Sequence, residues 1–266
     1  MKTLVLASHK GGVGKSAVAT LLSHFLLQCK KRVLAIDLDH QGHFGARLRR
    51  SVDLALAPVT SDALMTGVDQ DFALARFTLV PGDHRLLELE RQPQMHARFS
   101  SQLQAFLASV DPQFDVCVID TSSAPDVRLV AALGAADFVL SPIQLAGAAM
   151  DTVSSLFGNE RAGVRAIRKV NPKLQVLGLL PSMVDVTPFQ RSNFAQLIEQ
   201  HARLLIPCGT ARSDYAFIPR RSAIARAQMS GGVLWRLPAA EARQAWHDIE
   251  ASVVRIAAMV TAGARS

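Results

Sequence analysis

The sequence predicts an α/β protein with a doubly wound, mostly parallel sheet flanked by helices, and three observations lead there. An apolar run, Thr3-Leu4-Val5-Leu6-Ala7, passes directly into a glycine-rich loop and then a helical pattern. Two further apolar runs, Arg32-Val33-Leu34-Ala35-Ile36-Asp37 and Phe114-Asp115-Val116-Cys117-Val118-Ile119-Asp120, each end in an acid. Continuous apolar strands of this length are buried on both faces, as in parallel sheets, and a terminal acid delivers a carboxylate to the sheet edge where such folds bind ligands. With 266 residues and 49% hydrophobic content, the chain suits one large domain over 1–266.

The loop after the first strand reads Lys10-Gly11-Gly12-Val13-Gly14-Lys15-Ser16. It departs from the general Gly-x-x-x-x-Gly-Lys-Ser pattern only at its first position, where His9 stands. The physics of a phosphate cradle survives that change. Glycines adopt the backbone angles that turn successive N–H groups onto an anion, and the helix opening at Ser16 adds its positive end. Lys15 is expected to neutralise β- and γ-phosphates and the Ser16 hydroxyl to ligate Mg²⁺.

Further along, Val18, Leu21, Leu22, Phe25 and Leu26 recur at helical spacing over 17–28, so strand, loop, helix and the 32–37 strand make one βαβ unit. A polar turn, Leu38-Asp39-His40-Gln41-Gly42, follows. Over 48–111 we expect a short helix near 61–65, a strand at 77–80, a turn at Pro81-Gly82 and amphipathic helix up to 110, interrupted by Arg91-Gln92-Pro93. Arg47, Arg49 and Arg50 read as solvated loop charge. Strands are expected at 114–120, 137–144 and 176–185, with a helix over 148–170 whose end carries Arg161, Arg165, Arg168 and Lys169. Ala242, Trp246, Ile249, Val253, Ile256 and Val260 predict a last helix over 239–262, packed on the sheet.

The net charge of +7 and pI of about 9.8 suit an anionic partner, and nucleic acid and acidic membrane both qualify. Cys29, Cys117 and Cys208 are scattered, odd in number and without Cys-x-x-Cys spacing, which argues against a disulfide framework or an iron–sulfur or zinc site. With the first strand at the N-terminus and no long apolar stretch, neither a signal peptide nor a membrane span is expected, and a reduced cytoplasm fits.

The extra Lys10 before the glycines resembles the deviant Walker A proteins, the ParA/MinD family of ATPases. The likeness runs from residue 1 to about 256 and is sharpest at 10–16, 37–42 and Asp120. It implies ATP and Mg²⁺ as cofactors, with Lys10, Lys15 and Asp39 as catalytic residues. Lys10 would reach across a homodimer to the partner's ATP, while Gly11, Gly12, Val13, Gly14, Ser16 and Ala17 complete the loop. Residues 37–42 resemble the family's first switch, Asp-x-Asp-Pro-Gln-Gly, in which Asp39 activates or orients the attacking water and Asp37 supports the Mg²⁺ shell. Asp120 matches a Walker B acid that holds Mg²⁺ through water, so the metal set is Ser16, Asp37 and Asp120. Ser182, Met183 and Pro219 match adenine-contacting positions, and Arg212, Arg220, Arg221 and Arg226 form the expected DNA-binding face. Three departures stand out: His40 replaces proline, Thr121-Ser122-Ser123-Ala124-Pro125 replaces a second switch with a Pro-Pro pair, and Arg226 stands where many relatives have glutamate.

Function follows from the same resemblance. An ATP-bound sandwich dimer would bind double-stranded DNA without sequence preference on the nucleoid, and a ParB-like centromere-binding protein would stimulate its slow hydrolysis and release it. No N-terminal helix-turn-helix is expected, hence no operator-specific repression. Two alternatives stay open: a membrane-recruited positioning ATPase like MinD, and a non-hydrolysing ATP-binding scaffold of a conjugation or polar-localisation complex. The chain ends Gly263-Ala264-Arg265-Ser266 rather than in a lysine- and phenylalanine-rich tail, so no stable membrane anchor is expected.

Overall fold

The acid-terminated apolar runs form the centre of an eight-stranded sheet. The computed structural model describes residues 1–67, 75–147, 149–185, 187–209 and 214–262. Its strands are β1 (Lys2–Leu6), β2 (Val33–Leu38), β3 (Ala55–Leu56), β4 (Phe77–Val80), β5 (Val116–Thr121), β6 (Phe138–Ile143), β7 (Gln175–Val184) and β8 (Ile218–Pro219). They lie in the order β3-β4-β2-β5-β1-β6-β7-β8, and every ladder between them is parallel. The helices are α1 (Lys15–Gln28), α2 (His43–Leu48), α3 (Ser61–Thr66), α4 (Leu86–Glu90), α5 (His96–Val110), α6 (Val127–Ala135), α7 (Ala149–Gly158), α8 (Val164–Ile167), α9 (Pro188–His201), α10 (Ser222–Ser230) and α11 (Ala240–Ala262).

Alternation along the strands sorts their side chains between two cores. Leu4 and Leu6 of β1, Val33 and Ala35 of β2, and Val116 and Val118 of β5 pack under α1, α2, α10 and α11. Val5, Leu34, Ile36, Cys117 and Ile119 face the other way, onto helices between α3 and α8. This is the two-residue period of a strand acting in a sheet covered on both faces.

The sheet order sets where ligands bind. From β1 the chain crosses to β2 on one side, while β6 lies on the other. The carboxyl end of β1 is therefore a point of topological reversal, and the glycine-rich loop opens there. Parallel register also aligns β2 with β5 so that Asp37 and Asp120 are cross-strand partners.

One expected element is corrected. The single helix over 148–170 is two, α7 and α8, because Asn159 Oδ1 accepts the N–H groups of Arg161 and Ala162 and turns the chain before Gly163 opens α8. Two residues of its basic end also have structural work. Arg161 pairs with Glu90, and Arg168 Nε donates to the Leu174 carbonyl at 3.0 Å. α2, α6, α9 and β3 were not anticipated from the sequence.

Candidate nucleotide-binding site

Gly14 caps α1 with φ of 90°, in the left-handed region, and a Cβ there would lie 2.9 Å from Ser182 Oγ. Glycine is thus needed for both conformation and space. Lys15, the first residue of α1, is buried at 8% exposure beneath the loop. Burial lowers its pKa, against the opposing pull of Asp120 and Asp39. Gln144, just after β6, steadies the loop by donating to the Gly12 carbonyl at 3.0 Å. His9 is half-buried and packed near Lys15, with its Nε2 buried and without a partner; burial and the lysine both lower its pKa.

The acids of β2 and β5 lie below Lys15, and their environments differ. Asp37 Oδ1 accepts the Asp39 N–H at 3.0 Å and Oδ2 accepts the Gly45 N–H at 2.7 Å, so this side chain ties the first switch to α2. Burial pushes its pKa up to about 6 despite both bonds. Asp120 is fully buried, and neither of its oxygens meets a donor at hydrogen-bond geometry. Burial and the neighbouring Asp37 carboxylate hold its pKa well above the ordinary carboxylate range, while the Ser16 hydroxyl and Lys15 beside it work in the opposite direction. Orphaned buried oxygens are rare unless something absent from the apoprotein satisfies them. Two hard carboxylate oxygens beside a serine hydroxyl fit a Mg²⁺ ion that retains part of its water shell.

Two adjoining cavities open above these groups. One, of about 540 Å³, is lined by the loop from Gly11 to Ala17, by Asp39 and His40 of the first switch, and by Ser122, Ser123 and Ala124 of the second. The other, of about 300 Å³, is mostly apolar, with Val18, Leu21, Pro219 and Ile224 as walls. Ser182 and Met183 line the second, and Met183, at φ of 55°, also borders the first. A polar chamber over the glycine-rich loop adjoins an apolar slot, the two polarities that a nucleotide's phosphates and base require. Lys10 lines neither cavity of its own chain.

Several residues here escaped the sequence reading. Arg47, read as solvated charge, sits on α2 and lines both cavities, and burial lowers its pKa against the pull of Asp120 and Asp37. Arg128 of α6 is 3% exposed in the wall of the polar chamber. Gln228 of α10 is buried in the apolar slot, donating to the Ala17 carbonyl at 2.9 Å. None carries a sequence signal, because lone arginines and glutamines are ordinarily at the surface.

The expected DNA face is less open than its composition suggested. Arg220 bonds Asp185 at 2.9 Å, Arg221 bonds Asp248 at 2.8 Å, and Arg226 pairs with Glu241. Arg212 lies outside the described residues. Among the described residues no helix is long and apolar enough to cross a membrane.

Sheet order, loop, paired buried acids and the lysine ahead of the glycines define a P-loop nucleotide hydrolase of the deviant Walker A class. The AAA domain family model, AAA_31, matches residues 1–176. The chain is 33% identical to Protein IncC of Escherichia coli over 261 residues, spanning 94% of this chain and 68% of that protein. It is 29% identical over 215 residues to the chromosome partitioning protein ParA of Caulobacter vibrioides, 76% of each chain. The solved structure of apo McdA from Cyanothece has the same fold, with a TM-score of 0.75 at 23% identity over 96% of this chain and 98% of that one. This chain belongs to the ParA/MinD family of P-loop ATPases, among the partitioning proteins.

Proposed function

We propose that this protein is an ATP-driven DNA-partitioning switch, which binds DNA as an ATP-bound homodimer and lets go when a ParB-like partner stimulates hydrolysis. The observation that carries the ATPase half is Asp120: a fully buried carboxylate with both oxygens orphaned, beside Ser16 and Lys15 under a phosphate-shaped loop. The partitioning half rests on the likeness to ParA.

Each role follows from what the side chain can do. The loop N–H groups and Lys15 bind the phosphates, and the polar chamber is large enough for them. Ser16 and Asp120 would hold Mg²⁺, with Asp37 behind them because its oxygens are engaged by backbone N–H groups. When bound, that ion offsets phosphate charge. Asp39 borders the chamber and is held by the Asp37 carboxylate through its own N–H, which suits it to orient a water. Ser182, Met183 and Pro219 enclose the base. Lys10 lies outside its own cavities, which suits a role on a partner's phosphates.

DNA contact by Arg220, Arg221 and Arg226 requires their carboxylate partners to yield. Exposed pairs of this kind are worth only about 0–1 kcal/mol each, so phosphates can compete for them. The deciding experiment is binding to random-sequence duplex with ATP, ADP or no nucleotide across a salt series. Expected is ATP-dependent binding that weakens steeply with salt. Absence of binding in every state removes the DNA function and leaves the ATPase assignment. Capture on anionic vesicles instead would favour a MinD-like role, and ATP binding without turnover a scaffold.

A further inference from the structure

The first switch meets α6, the helix after the second switch, at one ring nitrogen. His40 Nδ1 lies 3.1 Å from Arg128 Nη1 and 3.3 Å from Asp39 Oδ1. Arg128 reaches this point from α6, and its other nitrogens are already committed. Nε donates to Asp126 Oδ2 at 2.9 Å, and Nη2 bonds the same oxygen. Asp126 Oδ1 in turn accepts the Arg128 N–H and so caps α6. On the other side, Asp39 Oδ1 accepts the Gln41 N–H at 3.1 Å. A continuous polar chain therefore runs from the candidate water-orienting acid, through His40, to the start of α6, the helix that follows the second switch.

The two neighbours of Nδ1 make opposite demands. A guanidinium can only donate and a carboxylate can only accept. Nδ1 serves Arg128 with a lone pair, and serves Asp39 only when it carries the proton. One nitrogen cannot do both. Arg128 is buried, and apart from His40 its Nη1 has no hydrogen-bond partner among the described residues, so the arrangement with the lone pair toward Arg128 is the better satisfied one. In that tautomer Asp39 is not clasped by the imidazole and its carboxylate stays available to the chamber.

We propose that His40 is a positioning residue that couples the two switches: its Nδ1 accepts from Arg128 when Asp39 is free to orient water, and donates to Asp39 when the arginine lets go. The catalytic consequence rests on the role of Asp39 proposed above; the Nδ1–Arg128 link rests on the geometry alone. Moving α6 then changes the state of the first-switch acid through the wall of the phosphate chamber. A proline at position 40 has no group that can do this.

The test has two readouts on the full chain. In two-bond ¹H–¹⁵N spectra of the nucleotide-free protein, with the ring assigned by its absence in His40→Gln, Nδ1 of His40 is expected to be the unprotonated nitrogen. Arg128→Leu should shift the ring toward the Nδ1-protonated tautomer, and Arg128→Lys, which keeps a donor, should shift it less. A protonated Nδ1 in the wild type, or a ring indifferent to both substitutions, overturns the link. For turnover, His40→Gln and Arg128→Lys should each lower kcat by roughly ten-fold, a larger effect than any on KM for ATP, and the double variant should be no worse than the weaker single one. Multiplying losses would overturn the coupling. A wild type that binds ATP without hydrolysing it would instead defeat the role given to Asp39, while the spectra still decide the link.

Discussion

Asp37 and Asp120 are adjacent on neighbouring strands, both fully buried, yet only Asp37 accepts backbone N–H groups. Burial raises the Asp37 pKa to about 6, above its unfolded value, so the folded state binds the proton more tightly than the unfolded one. Stability from this group is present at low pH and is lost as pH rises through the folded pKa. Replacing it with asparagine removes that slope. In Mg²⁺-free buffer, urea denaturation of wild type and Asp37→Asn should show the difference moving in the variant's favour by about 2 kcal/mol from pH 4 to pH 7. A pH-independent difference would mean that Asp37 does not titrate in this window. At the same scale, Lys15→Ala should abolish binding of a fluorescent ATP analogue, because the buried ammonium is the only lysine charge lining the polar chamber among the described residues. Retained affinity would move the phosphates elsewhere.

At the scale of elements, the first switch is held by contacts from three directions. The Ser61 hydroxyl of α3 donates to the Asp37 carbonyl at 2.6 Å, α2 offers the Gly45 N–H to the Asp37 carboxylate, and Gly82 after β4 packs against the switch backbone. A Cβ on Gly82 would lie 2.6 Å from the Asp39 carbonyl oxygen and 3.1 Å from that of Asp37. Backbone cannot swing aside as a flexible side chain does. Gly82→Ala should therefore displace Asp39, lowering kcat more than ATP affinity and costing about 1–3 kcal/mol of stability, read by steady-state kinetics and denaturation. Unchanged turnover would show that the switch tolerates the shift. The base side is tied to the same switch, since Arg50, just past α2, donates to the Met229 carbonyl of α10.

For the whole molecule, the question is whether two chains meet over nucleotide. Lys10 is half-buried near its own loop, with its N–H toward Ser8 Oγ at 3.4 Å, and borders neither cavity. Lys10→Ala should bind ATP as a monomer with affinity close to wild type but fail to dimerise, as read by light scattering with ATP and Mg²⁺. A variant that dimerises normally removes the trans role. Asp39→Ala should do the reverse and accumulate an ATP dimer that stays on DNA; undiminished turnover would take Asp39 out of the chemistry. Such a switch works by ordering loops around the γ-phosphate and releasing them on hydrolysis.

Much of this was legible in one dimension because it is local. The loop, β1, β2, β5 and β6, and the acids at 37, 39 and 120 are written in contiguous apolar runs, glycines and terminal charges. The class of the protein followed from a single lysine ahead of the glycines. Other features required the folded chain, since they depend on pairs distant in sequence: Arg128 meeting His40 across 88 residues, Gln228 reaching Ala17 across 211, and Arg47 turning inward between two cavities. The helix expected over 148–170 failed for a reason of scale too, because Asn159 turns the chain with a side-chain bond that apolar periodicity does not register. Local chemistry names the phosphate site, whereas the orphaned state of Asp120 and the sharing of His40 arise only when the strands and switches are brought side by side. Burial and hydrogen-bond satisfaction are properties of the packed chain and have no one-dimensional signature.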